Sequence, residues 1–146
     1  MTVNIFFRTR HPLSLNKLSP LLKRAALAAV ESKKNKGEVN LVLVADAEIK
    51  RLNRTFLART GLTDVIAFNY PKPAFTPPGE TAPFGVIYIC LPAARRQAVK
   101  MGHSLETELF ILAVHGALHL SGMDDATPAL RKKMNKKAVA LLNRLF

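Results

Sequence analysis

Apolar positions along this chain follow two periods, and their order outlines a domain. Val3-Asn4-Ile5-Phe6-Phe7-Arg8 partly alternates and predicts a strand, which His11-Pro12 breaks. Ser19-Pro20 has the form of a helix cap with proline at the first helical position. Leu22, Ala25, Ala29 and Val30 then recur on one face as far as Lys33-Lys34. Val39 to Val44 is nearly continuous in apolar residues, the mark of a central strand buried on both faces. Asp46 predicts the cap of a short helix with Ile49, Leu52 and Phe56 inward and Lys50, Arg51 and Arg54 outward. Val65 to Phe68 and Gly85 to Cys90 read as two more strands. Asn69 to Pro83, between them, holds five prolines and no period; it predicts a long loop of the kind that often serves as a lid. Pro92 opens a helix through Lys100, closed by Gly102. The last helix runs from Pro128 to near Leu145, with Leu130, Met134, Ala138, Leu141 and Leu142 inward and Lys132, Lys133, Lys136 and Lys137 outward. The expected architecture is α+β: one domain over residues 1–146, with a four-stranded mixed sheet and about five helices.

One further helix stands apart. Ser104 caps it, His103 lies just before the cap in an exposed position, and Glu106 sits in its first turn. Leu109 to Val114 is apolar all round, which places this helix centrally inside the protein. His115 and His119 lie on it four residues apart, so both imidazoles share one face. Gly122 stops the helix, and Met123-Asp124-Asp125 can bring a carboxylate back toward the histidines. Two imidazoles and a carboxylate form a metal site with room for water. The plainer reading is a pair of core histidines with hydrogen-bond partners, followed by acidic residues that favour the dipole of the Pro128 helix.

Charge adds a partner. Lys and Arg number 22 against 10 Asp and Glu, a net +12, and a surplus of that size points to a polyanion, most simply nucleic acid. Lys50, Arg51 and Arg54 are the candidate RNA-contacting residues; a merely solvated basic face is the alternative. No basic amphipathic helix carries large aromatics, no apolar run spans a bilayer, and the amino-terminal segment lacks a signal-peptide core. With Cys90 as the only cysteine, no internal disulfide forms. The expectation is a soluble, cytoplasmic protein without a membrane partner.

HGALHLSGMDD resembles the signature HGxLHLxGyDH of the YbeY endoribonucleases, or ribosomal RNA maturation factors. His115, Gly116, Leu118, His119, Leu120, Gly122 and Asp124 match it. LNRTFLARTGLTDVIAF is similar to the family's LNxxyRgkdkpTDVLSF. The resemblance implies a zinc centre whose third ligand falls on Asp125 in place of a histidine. It implies an endoribonuclease acting on single-stranded RNA in ribosomal RNA maturation and ribosome quality control, with the small ribosomal subunit as partner. Asp124 is then the residue that orients a ligand or water.

Three positions depart from that pattern. Asp125 puts an anion where the family has an imidazole, which weakens the Lewis acid and leaves Mn2+, Ni2+ or Fe2+ open besides Zn2+. Leu57 stands where the family carries a catalytic arginine that stabilises charge on the phosphate; Arg54 and Arg59 are the candidates to replace it. The family's Gly-Asp pair is here Gly85-Val86. Gly116 occupies the glutamate position of HExxH proteases, which argues against a protease. Two functions remain: an active metal-dependent endoribonuclease, or a catalytically weakened relative that binds RNA or the small subunit without efficient cleavage.

Overall fold

The computed structural model describes residues 1–30, 37–57 and 63–146. Among these, four strands form one sheet in the order β1-β2-β4-β3. They are β1 (Thr2–Phe7), β2 (Glu38–Val44), β3 (Val65–Asn69) and β4 (Pro83–Cys90). The pairs β1–β2 and β2–β4 run parallel, while β3 is antiparallel to β4, so the sheet is mixed, as expected. Five α-helices accompany it among the described residues: α1 (Ser19–Val30), α2 (Asp46–Leu57), α3 (Leu91–Met101), α4 (Leu105–Leu120) and α5 (Pro128–Leu145). No helix among the described residues is long and apolar enough to cross a membrane.

Alternation along the central strands divides the core in two. Val39, Leu41, Leu43, Ile87 and Ile89 face α1, α4 and α5. Val42, Val44, Val86 and Cys90 face the opposite way and pack with Ile49 and Leu52 of α2. The period of two in the strands thus assigns α4 and α2 to opposite faces of the sheet. α4 is central on its side, touching α1, α3, α5, β3 and β4.

Two glycines let α4 lie close against the strands. A Cβ on Gly116 would stand 2.5 Å from Cγ2 of Ile87, and one on Gly85 would stand 2.8 Å from both Leu120 Cδ2 and the Phe68 carbonyl oxygen. Asn69 Nδ2 donates to the Leu120 carbonyl at 3.0 Å and ties the end of α4 to β3. Val86, beside Gly85, points into the α2 side of the core. Its departure from the Gly-Asp pattern is therefore a matter of packing beneath α2, away from α4.

Several local expectations need correction. A 3-10 segment, Leu13–Leu18, runs directly into α1, so Ser19 is a helical residue and not an isolated cap. Asp46 begins α2, but its carboxylate accepts hydrogen bonds from Arg96 (2.9 and 3.3 Å) and from the Cys90 thiol (3.2 Å). Phe56 and Leu130 are exposed, though Phe56 rests on Phe68 at 5.2 Å between ring centroids. Cys90 is fully buried, and burial pushes its thiol up to about 11. Iodoacetamide at pH 8 is therefore expected to alkylate the native protein about two orders of magnitude more slowly than the urea-unfolded chain, because the thiolate is the reacting form. Equal rates in the two states, followed by mass spectrometry, would contradict that burial.

Candidate metal centre

Ser104 caps α4 by accepting from the Thr107 amide at 3.1 Å. Gly122, at φ 98°, ends it. The Met123 amide donates to the Leu118 carbonyl at 3.0 Å and the Gly122 amide to that of His119 at 2.9 Å, a Schellman closure that reverses the chain. Asp124 Oδ1 then accepts from the Ala126 amide at 2.9 Å and tightens the next turn. These two turns bring Asp125 back over the helix. Its Oδ2 lies 3.5 Å from His119 Nε2. That is too long for a good hydrogen bond, and close to the edge of a tetrahedron around an ion with bonds of about 2.0–2.2 Å.

His115 is one turn earlier, half-buried. Burial, and then the neighbouring His119, hold its pKa below the usual imidazole value; Asp64, Asp125 and Glu108 pull the other way. The net effect keeps the ring neutral at neutral pH, the form a metal ligand requires. Among the described residues, no three His, Cys, Asp or Glu side chains are already gathered at ion-holding distances. The donor types fit a divalent metal, with His119 and Asp125 meeting and His115 one helical turn away.

Other candidates fall elsewhere. Asp124 is exposed and bonds the backbone of Ala126 rather than a histidine. Lys50, Arg51 and Arg54 are exposed on α2, which covers the sheet face opposite α4, so this basic face lies across the sheet from the helix that carries the histidines. Arg51 also lies 3.7 Å from Glu48, which pairs with Arg8 at 3.0 Å. Leu57 ends α2; Arg59, like Lys33 and Lys34, lies outside the described residues.

The sequence reading missed a group around His115. Asp64, Gln97, Glu108 and Asn135 line a cavity of about 390 Å3 that His115 also walls. Glu108 is almost fully buried, and its Oε2 meets His103 Nε2 at 2.6 Å, so His103 is partnered and not the exposed loop residue expected. Glu108 precedes His115 by seven residues, two turns on the same face, and that spacing could have revealed it. A larger cavity, about 630 Å3, lies beneath the proline-rich loop and holds none of the histidines. On α5, Lys133, Lys136 and Lys137 flank Met123, two residues before Asp125.

A family model, Endoribonuclease YbeY, matches residues 6–146. The chain belongs to the YbeY family. It is 39% identical over 145 residues to an Endoribonuclease YbeY of Elusimicrobium minutum, covering 99% of this chain and 100% of that one. It is 44% identical over 122 residues to the Endoribonuclease YbeY of Moorella thermoacetica, covering 80% and 78% respectively. The solution structure of a Thermotoga maritima protein superposes with a TM-score of 0.61 at 25% identity, covering 97% of this chain and 90% of that one. Among YbeY features, Gly116 now has a physical reason: α4 has no space for a side chain there, so the glutamate of an HExxH protease could not occupy it.

Proposed function

We propose that this chain is a cytoplasmic, metal-dependent endoribonuclease that cuts single-stranded RNA in ribosomal RNA maturation and ribosome quality control. His115, His119 and Asp125 hold the metal. The approach of Asp125 to His119 one turn beyond His115 carries the reading, and family membership supports the reaction. A divalent ion there, with Zn2+ favoured by two imidazoles and a carboxylate, supplies Lewis acidity at neutral pH for phosphodiester hydrolysis. Burial keeps His115 unprotonated for this role. Asp124 holds the turn from which Asp125 hangs. Arg54 acts on RNA binding and not on the scissile phosphate. The test is single-turnover cleavage of a ribosomal RNA fragment with added Zn2+ or with chelator: metal-dependent cutting is expected, and cutting that persists in chelator removes the metal from the reaction.

Binding to RNA follows from the net +12. Log affinity should fall steeply with log salt, because phosphate contacts release counterions. Reversing Lys133, Lys136 and Lys137 to glutamate should weaken binding more than reversing Lys50, Arg51 and Arg54, since only the former adjoin the Asp125 turn. Filter binding between about 50 and 200 mM salt decides this; a flat salt response would reduce the basic surface to a solubility feature.

The reading of a weakened relative rests on Leu57 and Asp125. Removing one charge-stabilising donor costs on the order of 10²–10³ in rate. Leu57→Arg should therefore raise single-turnover cleavage, and Asp125→His should shift the pH–rate profile to lower pH. A wild type that already cuts well, and is slowed by Leu57→Arg, would end the missing-arginine explanation.

A further inference from the structure

The cavity against His115 is unusual for this chain. Among the described residues no Lys or Arg lines this space, although the chain carries 22 of them, whereas the carboxylates of Asp64 and Glu108 do. Among the described residues a phosphate group would meet the Asp64 carboxylate and the His103–Glu108 pair, and no Lys or Arg. Met101, Ile111, Val139 and Leu142 supply aliphatic walls, and Gln97 and Asn135 add amides. Its occupant must be flat or compact, largely apolar on its faces, uncharged or cationic, and rich in N–H donors at its edge.

We propose that this cavity is a guanine pocket that seats a base of the RNA beside the scissile position. The inference rests on the endoribonuclease reading and deepens it. Flipped bases are read by hydrogen bonds to their pairing edge and by contact with apolar side chains on their faces. Guanine alone among the four bases presents two adjacent donors, N1–H and N2–H, which match the two oxygens of one carboxylate. Adenine and cytosine offer a single amino group beside an acceptor, and uracil one N–H between two carbonyls. Asp64 is the carboxylate assigned to that pair; the Cys90 amide holds its backbone oxygen at 2.8 Å. Glu108 is fixed by His103 through Oε2. A side-chain amide of Gln97 or Asn135 donates to guanine O6. The Glu108 carboxylate and the Asp64 backbone are held by the fold before any base arrives, which lowers the ordering cost of binding. Because His115 forms one wall, a base seated here lies next to the candidate metal ligands.

Nucleosides probe the pocket without any phosphate contribution. Equilibrium dialysis of the full chain is expected to show guanosine binding at least tenfold tighter than adenosine, cytidine or uridine. Val139→Trp fills the mouth from an exposed position on α5 and should reduce guanosine affinity at least tenfold, as should Asp64→Asn; thermal melting confirms that both variants fold. Cleavage of single-stranded RNAs carrying one guanine at successive positions should give cuts at a fixed distance from it, and Val139→Trp should abolish that bias. Equal binding of the four nucleosides, no effect of Val139→Trp, or displacement of guanosine by spermidine would overturn the pocket, the last marking a cation site. RNA cutting with no guanine bias would sink the pocket alone. Guanosine binding without any RNA cutting would sink the nuclease reading instead.

Discussion

Gly116→Ala is expected to destabilise the protein by about 2 kcal/mol, although alanine is the better helix former. Helix propensity favours alanine over glycine by about 1 kcal/mol in a helix interior. Against it, the new methyl would lie 2.5 Å from Ile87 Cγ2 and within 3.3 Å of two more Ile87 atoms. Ile87 is fully buried on β4, which is paired on both sides, by β2 and by β3. Its β-branched side chain is restricted at χ1 and fully buried, so overpacking should sit at the upper end of its usual range of about 1–3 kcal/mol. α4 must lift from the sheet, carrying His115 with it. Urea unfolding of the wild type, Gly116→Ala, Ile87→Ala and the double variant checks this. Ile87→Ala opens space at the contact, so the double variant should lose less than the sum of the two single losses. A Gly116→Ala protein as stable as wild type would show that the helix does not lie as close as described.

His115→Ala and His119→Ala should each abolish stoichiometric metal binding and lower cleavage by more than the 10–100-fold typical of losing an outer-shell partner. Elemental analysis of wild type should find about one metal per chain. A variant that retains that content and its activity would remove its histidine from the centre. The same ring gives a pH signature in the metal-free protein. Its native pKa is lowered from 6.5, so the native state binds that proton less readily than the unfolded chain. The stability it contributes is full above about pH 6.5 and is lost as pH falls toward the lowered native value. His115→Gln should flatten that part of the stability–pH curve.

Much of this layout is written in local pattern. The apolar circumference of Leu109 to Val114 identified α4 as the central helix, and Gly102 and Gly122 marked helix ends at positive φ as their positions suggested. The strands, and the boundaries of α3 and α5, appear within two residues of where periodicity put them. The misses are tertiary. Amphipathicity tells which side of α2 faces inward, but not which face of the sheet it covers, so the pattern alone does not place Lys50, Arg51 and Arg54 relative to the histidines. Asp46 has the chemistry of a cap, yet Arg96, distant in sequence, competes for it. The His103–Glu108 contact crosses a helix start, and no periodicity links a residue ahead of the cap to one inside the helix. At the candidate centre, spacing supplied His115, His119 and the returning carboxylate; the neighbours Asp64, Gln97 and Asn135 come from other elements, and only folding unites them.

The returning turn after α4 has a thermodynamic corollary. All three candidate ligands fall between positions 115 and 125, and the connection that presents Asp125 is closed by backbone bonds of its own. A metal seated there would join segments that are already neighbours in the chain, so it would restrict the unfolded ensemble very little. The sheet and its helices owe their order to burial on both faces, not to that ion. Chelation should therefore leave the far-ultraviolet dichroism and the unfolding cooperativity intact while hydrogen exchange quickens around residues 121–127. In this protein, fold and metal would be separable: an apoprotein that waits, folded, for its ion, unlike small zinc modules that collapse without one.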